Sequence, residues 1–173
     1  MDRKSYDSNA KVASNCAPRL GKNNKVVLWA HQRIMSKKIV IMRGIPGSGK
    51  STYVKENLDG AFICSADGYF EEMAEVNQTT YLAEFEPWLV GRAHQFCWGL
   101  FITAVFDDEP LIVVDNTNIH GWEYYNYRLL GEKMGYEVEV VKMPAVLTAE
   151  EYHSRNTHGV PLEVIKRMMA EYE

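Results

Sequence analysis

The 173 residues carry a formal net charge of −4, with 46% hydrophobic and 24% charged residues, which fits one globular domain with a sizeable core. No apolar run approaches the roughly 18 residues needed to span a bilayer. Three widely spaced cysteines, Cys16, Cys64 and Cys97, without a Cys-x-x-Cys pair, argue against a disulfide framework and a zinc site. They point to a reducing compartment, the cytoplasm or a host cytoplasm for a viral chain. Cys64 and Cys97 stand in apolar surroundings and are expected as buried free thiols. The charge is uneven. Residues 1–40 hold nine Lys or Arg against the two acids Asp2 and Asp7, while the remainder holds ten against twenty-one. Such an arm could attract nucleic acid. It has little periodic pattern, however, and Met35-Ser36-Lys37-Lys38 reads as the start of a domain. Residues 1–36 are therefore expected to be a basic extension, without fixed structure or foreign to the domain, and residues 37–173 the domain itself. The arm is acid-poor like a transit peptide but carries no cleavage signature.

Lys38 to Arg43 is a short β-branched apolar run, as in a buried parallel strand. A helix follows from Gly49 to about Leu58, stopped by Asp59-Gly60. Ala61 to Ala66 reads as a second buried strand. Asp67 to Phe85 reads as a loop with at most one helical turn. Pro87 opens a long helix whose apolar positions Leu89, Ala93, Phe96, Cys97, Leu100 and Ala104 share one face, and Pro110 closes it. Leu111 to Val114 is a third strand ending at Asp115. Trp122 to Met134 is a helix with Gly135 as its stop. Tyr136 to Met143 alternates into a fourth, half-exposed strand. Thr148 and Glu151 form a capping box at the next helix. His158 to Pro161 breaks that helix, and Pro161 begins the last one. Alternating strands and helices predict a three-layer α/β/α fold on a mainly parallel sheet.

Gly44-Ile45-Pro46-Gly47-Ser48-Gly49-Lys50-Ser51 matches G-x-x-x-x-G-K-[ST] at every fixed position, between a strand and a helix. This P-loop is a cradle for the phosphates of a nucleoside triphosphate such as ATP. Its glycines let backbone N–H groups turn toward phosphate oxygens. The following helix presents its positive end. Lys50 reaches the β- and γ-phosphates, and Ser51, beside Thr52, offers its hydroxyl to Mg²⁺. Asp67 follows the second strand, at the sheet edge that faces the ligand crevice in open α/β folds. It is either a general base for an attacking hydroxyl or a cap for the next turn. Asp115 ends a Walker-B-like strand and can contact metal or acceptor. Asn116 and Asn118 either bind substrate or build the turn. Arg155 is either solvated surface or a stabiliser of the transferring phosphoryl group. Arg43 is either structural or close to the nucleotide base. The scattered histidines form no metal constellation. Trp122, Tyr124, Tyr125 and Tyr127 could stack on bases or pack the core.

From Lys37 to Glu173 the chain resembles the P-loop polynucleotide kinases, particularly their compact phage and bacterial branch. The resemblance rests on Arg43 to Thr52, Ile63 to Asp67, Ala93-His94, Val114 to Asn118, Trp122-Glu123 and Arg155-Asn156-Thr157-His158-Gly159-Val160-Pro161, with Met168 and Tyr172-Glu173. It implies a P-loop fold with a C-terminal helical lid carrying Arg155, Asp67 as general base, and Asp115 to Asn118 on the acceptor side. It also implies an ATP- and Mg²⁺-dependent kinase acting on a nucleic-acid hydroxyl, DNA ahead of RNA, commonly a 5′ end. Members of the family often carry Asp-Asp-x-Arg after the second strand. Here the segment is Asp67-Gly68-Tyr69-Phe70, so Phe70 replaces the arginine that would grip an acceptor phosphate. Related phage kinases phosphorylate a hydroxymethyl pyrimidine in DNA, and Tyr69, Phe70 and Trp88 would suit such a base. A nucleoside or small-metabolite kinase and a non-catalytic ATP-binding module are the further alternatives.

Overall fold

The computed structural model describes residues 37–172. The expectation for residues 1–36, and Cys16 with it, lies outside the described residues. Strand β1 (Lys38–Arg43) forms where Ile39, Val40, Ile41 and Met42 are all buried, so both faces of the strand are covered. It pairs in parallel with β3 (Leu111–Asp115) and with β4 (Glu137–Lys142), and β3 pairs in parallel with β2 (Phe62–Cys64). The order is β2-β3-β1-β4. Central β1 and β3 read as continuous apolar runs because helices cover both sides. On β4, Glu137 and Glu139 are exposed while Val138 and Val140 are half-buried.

Helix α1 (Lys50–Asn57) follows the P-loop. Val54 on α1 packs with Val40, Met42 and Val113 on one sheet face. The opposite face carries the larger cluster. There Ile39, Ile41, Ile112 and Val114 meet Cys97, Phe101, Ala104 and Val105 of α4 (Val90–Phe106) and Tyr127 of α5 (Gly121–Lys133). A third cluster seats α6 (Ala149–Arg155) and α7 (Leu162–Glu171) on the P-loop, through Ile45, Ile119, Tyr152 and Ile165. The α/β expectation, with four parallel strands between helices, is met.

Three expectations are corrected. Residues 67–85 are not a loop: Asp67–Asn77 is an eleven-residue helix, α2, and Tyr81–Glu84 is a short helix, α3. The burial of Phe70 and Ala74 at i and i+4, with Asp67 favourably placed in the first turn, decides for the helix. The second strand spans three residues, not six. Pro87–Leu89 is a 3₁₀ turn ahead of α4, and α4 ends at Phe106, short of Pro110. Asp108 there adopts a left-handed backbone (φ 59°) that leaves the helix before the proline. Elsewhere the capping box Thr148–Glu151 forms as read, with the Glu151 carboxylate accepting from Thr148 N at 2.7 Å. No helix among the described residues is long and apolar enough to cross a membrane.

Candidate active site

The P-loop leaves β1 at Gly44, whose N–H donates to the Thr117 carbonyl at 2.9 Å. The loop after β3 is thereby fixed beside the cradle. Lys50 Nζ donates to the carbonyls of Gly44 (2.9 Å) and Ile45 (3.3 Å), so the ammonium lies across the cradle. Pro46 is buried within the loop, and Thr52 is exposed beside Ser51. Gly47 has φ 80°, and a Cβ there would lie 2.4 Å from the Tyr152 carbonyl and 3.4 Å from Arg155 Cβ. Only glycine lets the last turn of α6 rest on the loop this closely. Arg155, exposed at the end of α6, is thus brought over the phosphate cradle.

Ser51 Oγ donates to Asp115 Oδ2 at 2.9 Å. Asp115 Oδ1 and Ser48 Oγ are buried without a hydrogen-bond partner. A hydroxyl and an orphaned carboxylate oxygen are hard donors that fit Mg²⁺, and an orphaned hydroxyl on the cradle fits a phosphate oxygen. The described residues contain no His/Cys/Asp/Glu cluster for a transition metal.

Asp67 opens α2 but does not cap it. Its Oδ1 accepts from the Tyr81 hydroxyl at 2.7 Å. Its Oδ2 lies 3.6 Å from Nδ1 of His158, at ion-pair rather than hydrogen-bond distance. The Asp67 side chain stays 50% exposed, so a substrate can reach it. His158 arrives from the α6–α7 connection. Asn156 shapes that turn: its Oδ1 accepts from His158 N (3.1 Å) and its Nδ2 donates to the Val160 carbonyl (3.4 Å). The imidazole meets the Tyr81 ring edge-on, centroids 4.5 Å apart.

Residues 39–173 match the AAA domain family. The chain belongs to that family. Over 143 residues this AAA domain is 34% identical to NEDD4-binding protein 2 of Homo sapiens, a match covering 78% of the chain and 8% of that protein. The chain therefore spans a small part of this curated relative. Among solved structures, it resembles a gluconokinase from Sinorhizobium meliloti 1021, with TM-score 0.45 and 16% identity, covering 80% of this chain and 76% of that one.

In this AAA domain the charges at the sheet edge act on one another. Burial pulls the Lys50 pKa down, against Asp115 and Asp67. Burial also raises Asp115, against Lys50 and Ser51. For Asp67, burial is outweighed by His158, Tyr81 and Lys50, which together hold its carboxyl below the ordinary carboxylate value. Asp67 in turn lifts the His158 pKa against partial burial.

The acceptor-side expectation for Phe70 is corrected. Phe70 is 2% exposed and packs among Tyr69, Tyr81 and Phe85, so it belongs to the core and offers no stacking face. Tyr69 is half-buried against Phe70 and Phe96. Asn116 and Asn118 are turn builders. The Asn116 amide oxygen accepts from Ala66 N (2.9 Å), and its Nδ2 donates to Cys97 Sγ (3.3 Å). Asn118, at φ 46°, donates Nδ2 to the Met42 carbonyl (2.8 Å). Arg43 is also structural, donating to the carbonyls of Asn118 and Ile119. Tyr81 and His158 were missed. His158 lies within Arg155 to Pro161, but one histidine without a ligand-spaced partner carries no local signal. Nothing local marks Tyr81, fourteen residues from its carboxylate.

Proposed function

We propose that this AAA domain is an ATP- and Mg²⁺-dependent kinase that transfers the γ-phosphate to a hydroxyl of a nucleic acid, at a 5′ end. The observation that carries the reading is Asp67: a half-exposed carboxylate, kept ionised by Tyr81 and His158, within the field of Lys50 on the cradle. A motor or switch P-loop protein orients water. An alcohol kinase instead needs a carboxylate that accepts a hydroxyl proton. The resemblance in Ile63 to Asp67 and Arg155 to Pro161 supports the polynucleotide acceptor.

The P-loop amides and Lys50 hold the triphosphate. Ser51 and Asp115 would hold Mg²⁺, which neutralises charge on the phosphate oxygens when bound. Asp67 accepts the proton as the acceptor oxygen bonds to the γ-phosphorus. The bond to the bridging oxygen breaks and ADP leaves. Arg155, carried onto the cradle by α6, steadies the charge spread over the phosphoryl oxygens.

The test is a transfer assay with labelled ATP, run side by side on 5′-hydroxyl oligonucleotides of DNA and RNA, hydroxymethyl-pyrimidine DNA, free nucleosides and sugar acids. Labelling of the 5′-hydroxyl oligonucleotides is expected. Asp67→Asn should lower that rate by about 10²- to 10⁴-fold with ATP still bound. Labelling of sugar acids alone, or near-normal turnover by Asp67→Asn, would overturn the reading.

A further inference from the structure

The expected aromatic platform at Phe70 is closed, yet a second aromatic site is open on the other side of β3. Between α4 and α5, at the carboxyl end of β3, lies a pocket of about 340 Å³. Small-molecule sites run from about 300 to 1,000 Å³. Its aromatic lining is Trp98 of α4 with Trp122 and Tyr127 of α5. Trp98 stacks on Phe101 (5.5 Å, 24°) and meets Tyr127 edge-on (5.0 Å, 78°). Trp122, by contrast, is 74% exposed and stacks on the His120 ring at 5.9 Å. Packed rings beside an exposed indole offer a flat molecule aromatic surface to lie on.

The polar groups narrow the chemistry. Asn116 and Asn118 form the floor, with their amide NH₂ groups already bonded to the protein. His94, Glu123 and Asn126 stand at the rim. Among the described residues no Lys or Arg lines the pocket, and Glu123 is an acid. A phosphate, a sugar acid or any other anion would meet a carboxylate and no counter-charge. A neutral planar ring with donors and acceptors on its edge suits every wall. The floor also leads to the chemistry, because Asn116 is hydrogen-bonded to Ala66 N, one residue before Asp67.

We propose that this pocket binds the nucleobase of the acceptor, so that the attached sugar presents its hydroxyl to Asp67 while the phosphates stay outside. The proposal rests on the kinase reading above for its catalytic half only. The substrate class it names is a base-bearing alcohol, either a free nucleoside or the terminal nucleotide of a strand. It separates the chain from kinases of anionic metabolites.

Two measurements on the full chain test it. Without ATP, the indole ¹H–¹⁵N signals of Trp98 and Trp122, assigned with W98F and W122F, are followed during titration with adenosine, thymidine, ribose and gluconate. Both signals should move with the nucleosides and with neither sugar. At saturating ATP, a 5′-hydroxyl dinucleotide is compared with the same acceptor lacking its 5′-terminal base. Loss of the base should lower kcat/KM about tenfold, the size of one base–aromatic stack. W122A should raise acceptor KM by a similar factor without changing the KM for ATP, and W88A should change neither. Still indole signals, equal kcat/KM for the abasic acceptor, or an effect of W88A in place of W122A would overturn the pocket. Moving indoles with no phosphorylation of any acceptor would instead uphold the pocket and remove the kinase reading. Oligonucleotide labelling without nucleoside labelling would identify the strand terminus as the source of the base.

Discussion

Asp67 is held by two donors of different kinds. Tyr81 fixes one carboxylate oxygen with a neutral hydrogen bond, and His158 faces the other across 3.6 Å. Both lower the Asp67 pKa, so removing either raises it. Tyr81→Phe deletes one hydroxyl and keeps the ring packed on Phe70 and Phe85. The acid limb of kcat/KM should therefore move to higher pH in Tyr81→Phe, read from a pH–rate profile between pH 4 and 8. An unmoved limb would mean that Asp67 is not the group that must be ionised. At this scale the sequence was informative where a fixed spacing demands residue types. Gly44 to Ser51 belongs to that class. Asn116 and Asn118 were ambiguous because the same amide can bind a substrate or close a turn, and only their partners decide. Phe70 misled, because an aromatic at a motif position looks alike whether it faces the crevice or the core.

The element that matters most is the pair α6–α7. It rests on the P-loop through Ile45 and Ile165, and Tyr172 Oη contacts the carbonyls of Arg43 (3.1 Å) and Met143 (3.0 Å). The Tyr152 carbonyl lies over Gly47, where a Cβ would meet it at 2.4 Å. Gly47→Ala must displace α6 and strain a left-handed backbone, which costs on the order of 1–2 kcal/mol. ATP affinity should fall at least tenfold by calorimetry, with a lower Tm. Unchanged affinity would mean that α6 does not sit on a nucleotide site. The capping box at Thr148 made α6 legible, and the break at His158 to Pro161 separated it from α7. That the connection between them reaches back to α2 was not legible, because a contact spanning 91 positions leaves no local pattern. For α2 itself, the legible signal is short: one buried i, i+4 pair, Phe70 and Ala74, among acids, and burial of that pair decides the helix.

Across the whole molecule, the Asp67–His158 contact ties the C-terminal helices to the β2 edge of the sheet. Its contribution to stability depends on pH in a defined way. The His158 pKa is raised in the fold, so its share is fully present below the ordinary histidine value of about 6.5 and fades as pH rises through the raised value. The Asp67 pKa is lowered, so its share is present above about 3.9 and fades as pH falls through the lowered value. The pair is strongest between those limits. His158→Gln should therefore lower Tm more at pH 5.5 than at pH 8.5, by thermal unfolding in matched ionic strength. Equal losses at both pH values would show that the contact carries no charge. One consequence of the α6–α7 connection reaches beyond transfer itself. Asp67 is held by Tyr81 of α3 and by His158, and the helices that flank His158, α6 and α7, also rest on the cradle. On the proposed kinase reading, one motion of α6 and α7 would therefore open the cradle and release Asp67 together, so that donor entry and acceptor entry are coupled.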